Sequence, residues 1–485
     1  LHFCFLLYIF YILFFIFYFV TELSMAEKFD IVVIGGGSGG YAAAIRCAQR
    51  KVSVALIEKK SMGGVCLNIG CIPSKALLAT AHTFLHTKRA AAMGIDVAGA
   101  SPNWPKIQQR KNAIVTQFVK GLTGLVQANK IKIFKGRGIC TSPTKVKIES
   151  NSGTVELEAA KIILATGSEP IDLPAIGFDG TTIISSTEAL SLPAIPASMV
   201  IIGGGVIGCE MASFYAAMGT KVTVVEALLQ LLPNEEPWVA KILSAEFKKL
   251  GIESLVGQTV QSVDKTSSPA KVILANGQSL NAEKVLVAVG RRAVCDKETI
   301  DALGLKMNGK VIAVNDKMET NVPGVYALGD VVGTTYLAHG AFAEAHVVAA
   351  NATGSNETMY DYNLIPRVIY SFPEVASVGM TEAACAAKNM AVTIGKAYFR
   401  SNGRAAGENE TVGEIRVIRD NASNKAVGVS MIGNAVTELV GAARAMLGTA
   451  EPIERVMFPH PTISEVLRES WEAAYGASLH LPPKA

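Results

Sequence analysis

The feature that most limits what this chain can fold into is a stretch that occurs twice. "DIVVIGGGSGGYAAAIRCAQRKVSVALIE" and "MVIIGGGVIGCEMASFYAAMGTKVTVVE" each read as strand, glycine turn, helix, strand and acid. In the first, Gly35, Gly37 and Gly40 fit G-x-G-x-x-G at the mouth of the helix, and Glu58 ends the second strand. Gly203, Gly205, Gly208 and Glu226 take the same places in the second. The acid follows the first glycine by 23 positions in each copy, from 35 to 58 and from 203 to 226. The first glycine allows a tight turn, the second lets backbone approach a pyrophosphate, and the third lets the helix sit close to the strand. The helix N-terminus then offers its exposed N–H groups to phosphate, and the acid accepts a ribose hydroxyl. One such motif is weak evidence; two in full context predict an α/β chain with two Rossmann-like domains that bind two dinucleotides. The second site should prefer NAD over NADP. Its carboxylate repels a 2′-phosphate, and "EALLQLLPN" supplies no arginine to neutralise one.

The chain has 485 residues, enough for two to four domains at roughly 150 residues each. Its 45 basic and 41 acidic residues nearly balance, and no dense Lys/Arg run stands out, which argues against a nucleic-acid binder. Eight cysteines in such a length are too sparse for a disulfide scaffold, so a reducing cytoplasm fits better than secretion. The opening "LHFCFLLYIFYILFFIFYFV" has the roughly 20 apolar residues of a membrane span. It carries no basic region of the kind that starts a signal peptide, the first Lys being Lys28. Residues 1–24 are therefore read as translated upstream sequence behind a misplaced start, with a membrane anchor as the alternative. A cytoplasmic globular chain is expected to begin near Met25, with membrane association not expected.

Only two cysteines lie close together, Cys66 and Cys71 in "GGVCLNIGCIPSKALL". Residues five apart on a regular helix differ by ~140° around its axis. A disulfide wants Cα atoms roughly 4.4–6.8 Å apart, so bridging this pair requires a distorted turn, which Gly70 and Pro73 would allow. Two inert core cysteines are the plain alternative. A metal site is not expected, because no second cysteine pair and no histidine at zinc spacing accompanies them. Two nucleotide units flanking a cysteine pair suggest a flavin that exchanges electrons with sulfur.

"GGVCLNIGCIPSKALL" resembles the redox-active segment of dihydrolipoamide dehydrogenases, within the pyridine nucleotide–disulfide oxidoreductases. "ILATGSEP", "VLVAVGRR", "TNVPGVYALGD", "LAHGAFAEA", "IPRVIYSFPEVASVGMTE" and "HPTISEVL" follow in the family's order, so the resemblance runs from about Lys28 to the C-terminus. Ser74 before Lys75 favours the lipoamide branch over the glutathione reductases, which typically carry lysine there. The resemblance implies that Cys66 is the interchange thiol and Cys71 the flavin-facing thiol that makes a charge-transfer contact. It implies that Lys75 lies near the flavin and pairs with Glu210. It also implies FAD contacts at Gly138, Thr166, Gly167, Ser168, Asp330 and Ala338, and an NAD contact at Gly290.

Oxidising a dithiol releases protons, so a base is needed beside the interchange thiol. Of seven histidines, His2 lies in the doubtful extension, His82 and His86 on a helical stretch, His339 and His346 in an alanine-rich helix, and His480 in the tail. His460 alone precedes a proline and has Glu465 at a fixed short spacing. By resemblance His460 is the base and Glu465 orients it, the histidine reaching the cysteines of the other subunit of an obligatory homodimer. A carboxylate there fixes the tautomer and supports the imidazolium. The family usually reads His-Ala-His-Pro; this chain has Phe458-Pro459-His460-Pro461.

The implied organisation is an FAD domain over 25–174, completed by 293–365, an NAD domain over 175–292, and a C-terminal α+β dimerisation domain over 366–485. The implied reaction is oxidation of lipoyl groups on carrier domains of 2-oxo acid dehydrogenase complexes or of the glycine cleavage system, with NAD as acceptor. Reduction of another disulfide, a docking subunit with vestigial catalysis, and a membrane-anchored dehydrogenase are the competing readings.

Overall fold

The computed structural model describes residues 26–448 and 453–480, so residues 1–24 and the two readings of them lie outside the described residues. The chain divides into two compact units. One gathers the residues up to Gly64 with Val119–Ser168 and Ala293–Met359. Its sheet is built on strand Glu27–Ile34, whose last four residues are buried. That strand pairs in parallel with Val54–Glu58 on one side and Gly153–Leu164 on the other. Lys132–Lys135 extends the sheet beyond Val54–Glu58, while Lys145–Ser150 and Arg137–Ser142 follow Gly153–Leu164 as antiparallel neighbours. Val325–Ala327, from far along the sequence, also pairs in parallel with Gly153–Leu164. Apolar runs such as Ile31 to Ile34 suit a parallel sheet because both of its faces are covered. The first glycine helix, Ser38–Gln49, lies along helix Ala338–Ala352, and at Gly39 a side chain would collide with Leu328.

The other unit holds Val65–Phe118, Glu169–Arg292 and the chain from Tyr360 onward. Its parallel sheet runs Glu253–Val256, Lys221–Glu226, Ser198–Ile202, Lys284–Val287, Ile183–Ile184. The second glycine helix, Val206–Met218, is apolar nearly all round, as a fully covered helix should be. The cysteine helix, Cys71–Arg89, shares a core with it through Leu77, Leu78, Ala81 and Leu85, which meet Met211, Phe214 and Tyr215 among others. Shared packing of this kind buries a third of the most apolar window of Gly64–Met93, which among the described residues has the length and apolarity of a membrane span. It also groups Val65–Phe118 with the second nucleotide sheet, although it sits between two segments of the first unit in sequence.

The C-terminal part of this unit is an antiparallel sheet in the order Arg367–Ile369, Glu374–Gly379, Lys425–Gly433, Glu414–Asp420, Val392–Tyr398. Helix Val436–Met446 lies against Glu374–Gly379 and the C-terminal helix, Ser464–Ala474, against Val392–Tyr398. Phe399, Val417, Met431, Leu467 and Trp471 are central to the core between them. The expected α/β class with a C-terminal α+β domain is thus realised.

The C-terminal helix can approach its strand because position 395 is glycine. A Cβ on Gly395 would run into the carbonyl of Ser470 and the backbone of Ala474. Ser470 is itself fixed, its hydroxyl donating to the Ile415 carbonyl at 2.9 Å. Gly395→Val should therefore cost about 1–3 kcal/mol, the usual penalty of overpacking. A lowered Tm in thermal unfolding checks it; an unchanged Tm would mean the helix shifts without penalty.

Candidate active site

The two glycine turns repeat one set of contacts. Gly35 adopts φ +108° and Gly203 φ +110°, the left-handed region that glycine enters without steric cost. A side chain on either would strike a carbonyl of the adjoining strand end, that of Ala165 or Ala288. A side chain on Gly40 would strike the Gly35 carbonyl, and one on Gly208 the Gly203 carbonyl. The middle glycines differ from these in having room. A Cβ on Gly37 would meet only the Cα of Gly64 at 3.9 Å, and one on Gly205 nothing within 4 Å. Neither helix that begins there has a side-chain cap at its first residue. Two cradles with uncapped helix N-termini suit pyrophosphate groups.

Each acid is held by its own turn. Glu58 accepts the Gly36 amide at 2.7 Å and the Lys60 amide at 2.7 Å. Glu226 accepts those of Gly204 at 2.6 Å and Leu228 at 2.8 Å. Every carboxylate oxygen has more than one lone pair, so both acids keep capacity for a ribose hydroxyl.

In the first unit, Asp330 lies in a short helical turn, Gly329–Val332, and accepts the Ser168 hydroxyl. The Thr166 hydroxyl donates to the Val294 carbonyl, and the Val294 amide donates to the Gly167 carbonyl at 3.0 Å. Ala338 opens helix Ala338–Ala352, again without a side-chain cap. Gly138 has a packing reason of its own, since a Cβ there would press on Ile34 and Ile57 at 3.1 and 3.2 Å. Glu344 was not singled out from the sequence. This buried carboxylate accepts the Gly329 amide at 2.6 Å and so steadies the turn that carries Asp330. Its one sequence signal is an acid inside an alanine-rich helix. In the second unit, Gly290 adopts φ +131° and accepts the Ile171 amide at 3.1 Å.

Cys66 and Cys71 form a disulfide with Cα atoms 4.7 Å apart. The distortion takes the form of a break: helix Gly64–Ile69 ends, Gly70 adopts φ −146°, ψ −113°, and the next helix starts at Cys71. A Cβ on Gly70 would crowd the Val65 carbonyl at 3.0 Å and the Cys66 Cα at 3.2 Å. Both cysteines are half-buried, and Cys71 stands in the first turn of an uncapped helix, where a thiolate is stabilised. One turn on, Lys75 Nζ binds both oxygens of the buried Glu210 at 2.9 and 2.8 Å. Tyr370 holds this pair from both ends. Its ring centroid is 4.6 Å from Lys75 Nζ, and its amide donates to Glu210 at 3.1 Å.

The His460 ring is exposed, with Nδ1 3.0 Å from Glu465 Oε1, and the His460–Pro461 bond is cis. With Nδ1–H donating to the carboxylate, Nε2 is left as the proton acceptor. Burial works to raise the Glu465 carboxyl, but the Thr462 amide at 3.0 Å, His460 and Arg468 outweigh it and hold it below its ordinary range. Phe458 packs against the core of the C-terminal sheet, where an aromatic side chain is well placed. Folding gives two other histidines a carboxylate, each eleven residues away in sequence. His480 lies 2.7 Å from Glu469 and His346 3.2 Å from Glu357. His82 and His86 approach each other at 3.1 Å.

Two nucleotide cradles together with a half-exposed disulfide define an oxidoreductase that moves electrons between thiols and dinucleotides. Residues 29–345 match the family described as pyridine nucleotide-disulphide oxidoreductase, and residues 365–471 match its dimerisation domain. The chain is 40% identical over 458 residues to a dihydrolipoyl dehydrogenase of Bacillus subtilis, covering 93% of this chain and 99% of that protein. It is also 40% identical over 466 residues to one of Chlamydia muridarum, covering 95% and 99%. A crystal structure of LpdA from Mycobacterium tuberculosis superposes with TM-score 0.86 at 24% identity, covering 93% of this chain and 99% of that one, a likeness of fold. The chain belongs to the pyridine nucleotide-disulphide oxidoreductase family. The family uses FAD and NAD, and the cradles, uncapped helices and tethered acids fit both. His460 and Glu465 fall inside the matched dimerisation domain, His346 and His480 outside both matched segments, and that domain supports a homodimer.

Gly205→Val would fill the second cradle, where a Cβ at position 205 meets nothing within 4 Å. The variant should keep its FAD while KM for NAD rises at least about tenfold, equivalent to ~1.4 kcal/mol. Flavin absorbance and steady-state kinetics check the two halves.

Proposed function

We propose that this chain is a dihydrolipoyl dehydrogenase, oxidising protein-bound dihydrolipoamide with reduction of NAD. The observation that carries this reading is the Cys66–Cys71 disulfide at the head of a helix, in a chain 40% identical to dihydrolipoyl dehydrogenases over nearly its whole length. In this reading Gly35, Gly37, Gly40 and Glu58 hold the adenosine half of FAD. Lys75, Gly138, Thr166, Gly167, Ser168, Asp330 and Ala338 complete its site, and Glu210 keeps Lys75 in place. Gly203, Gly205, Gly208, Glu226 and Gly290 hold NAD. The four-segment division into FAD domain (25–174 with 293–365), NAD domain (175–292) and dimerisation domain (366–485) belongs to the same proposal.

The thiol chemistry follows from the side chains. Nε2 of His460, contributed by the partner subunit in the dimer, takes a proton from one substrate thiol while Glu465 stabilises the charge on the ring. The substrate thiolate attacks Cys66 Sγ, the Cys66–Cys71 bond breaks, and Cys71 leaves as a thiolate favoured by its helix N-terminus. The second substrate thiol attacks the substrate sulfur bound to Cys66, its proton passing to the departing Cys66 sulfur. The cyclic disulfide closes and Cys66 is expelled, leaving two electrons on the cysteine pair. FAD supplies the relay of those electrons to NAD. Lipoyl-bearing carrier domains of 2-oxo acid dehydrogenase complexes or of the glycine cleavage system are the partners, in the cytoplasm.

NADH formation from dihydrolipoamide and NAD, run beside NADPH-driven reduction of glutathione disulfide, tests the assignment. A flavin-loaded dimer that leaves dihydrolipoamide untouched would refute it. Cys66→Ser should keep FAD yet lose at least about 10³-fold in kcat, since the covalent step has no substitute.

A further inference from the structure

The His460–Glu465 pair hangs on a residue about sixty positions away. Asn402 is buried, 8% exposed, and its amide works in two directions. Oδ1 accepts the Ala405 amide at 2.9 Å, capping the short helix Gly403–Gly407. Nδ2 donates to the Thr462 carbonyl at 3.0 Å. Thr462 is the residue whose amide donates to Glu465 Oε2 at 3.0 Å and whose hydroxyl donates to the Pro459 carbonyl at 2.8 Å. That hydroxyl also lies 2.7 Å from Ser464 Oγ. Glu465 Oε1 in turn meets His460 Nδ1 at 3.0 Å. The segment from Pro459 to Ser464 is thus tied within itself, and Asn402 ties it to the body of the domain.

We propose that Asn402 is a positioning residue for the proton-accepting histidine, acting through Thr462 and Glu465; the inference rests on the reaction assigned above. The physical need is plain. Within its own subunit the His460 ring is largely uncovered, so what that subunit contributes to its aim comes through Glu465. Glu465 is aimed by the Thr462 amide, and Asn402 fixes the plane of the peptide bond that follows Thr462. Positioning errors of about 1 Å can cost ~10²-fold in rate, so a loosened Thr462 should show in kcat.

Asn402→Ser separates the two jobs of the amide. Serine caps helices about as well as asparagine, but its hydroxyl is too short to reach the Thr462 carbonyl. The purified full-length dimer would be compared with wild type in dihydrolipoamide oxidation and in NADH-driven reduction of ferricyanide, which takes electrons without a dithiol and so bypasses His460. The expected result is retained FAD, an unchanged ferricyanide rate, KM for dihydrolipoamide within about twofold, and kcat lowered about tenfold. An unchanged kcat would overturn the proposal, leaving Asn402 as a helix cap. A parallel fall in both reactions would overturn it as well, by showing a general structural defect. Asn402→Asp gives a second variant that keeps the capping oxygen and loses the donor; failure of both variants to yield FAD-loaded protein would also assign Asn402 to the fold alone. Wild type without dihydrolipoamide turnover would bring down the reaction and this inference together, whereas wild-type turnover with an unaffected variant removes only the inference.

Discussion

The reactive chemistry of this chain depends on the close backbone approach at Gly70. A continuous helix would point Cys66 and Cys71 in different directions; the break brings their Cα atoms to 4.7 Å and starts a new helix under Cys71. One interruption therefore closes the disulfide and supplies the helix N-terminus that favours the leaving thiolate. It also sets the phase of the helix that follows, placing Lys75 toward Glu210 on one side and Leu77, Leu78 and Ala81 into the core on another. A residue with a side chain at position 70 would have to displace backbone that the second cysteine needs nearby. Pro73 suits the arrangement, since proline is tolerated in a first helical turn, where amides lack partners anyway.

The nucleotide cradles show how much of a site can be read from sequence when its demands fall on the backbone. Gly35 and Gly203 are fixed by φ, Gly40 and Gly208 by a carbonyl in the way, and Gly37 and Gly205 by the room a ligand requires. Each demand leaves glycine as the sole fitting residue, and the helix and strand periodicities fix the spacing between them. The two copies accordingly agree in structure as they do in sequence, down to the amide of the middle GG pair that each acid accepts. The Cys66–Cys71 bridge was open on residues alone, because two cysteines five apart fit a core as well as a bond.

Other parts of the site were not legible, for a physical reason. Asn402, Tyr370 and Glu344 act through single hydrogen bonds or one ring contact with partners remote in sequence, or from inside a helix with no motif around them. An asparagine before a short helix announces a cap, and its second bond to Thr462 leaves no trace in composition or period. The histidine reading shows the limit from the other side. Sequence spacing made His460 look unique, yet folding also brings Glu469 to His480 across eleven residues and Glu357 to His346. A carboxylate beside an imidazole is thus common in this chain, and its use depends on what else the segment is tied to.

Redox selectivity among the cysteines follows from solvation. Burial pushes the thiols of Cys47 and Cys140 up to about 12 and that of Cys295, helped by Asp296, to about 12 as well; Cys209 and Cys385 are raised too. A thiol titrating near 12 is thiolate in roughly one molecule in 10⁵ at pH 7, and the thiolate is the nucleophile. Cys66 and Cys71 are half-exposed and at a helix start, so substrate can reach them and a helix N-terminus favours the negative charge, whereas Cys295, half-exposed too, lies outside any helix and beside Asp296. Among the described cysteines, exchange is therefore directed to this pair by where the others are buried as much as by where the pair is placed. The same apolar packing that sinks Cys209 into the second glycine helix holds the cysteine helix beside it, so one core both silences a thiol and presents another.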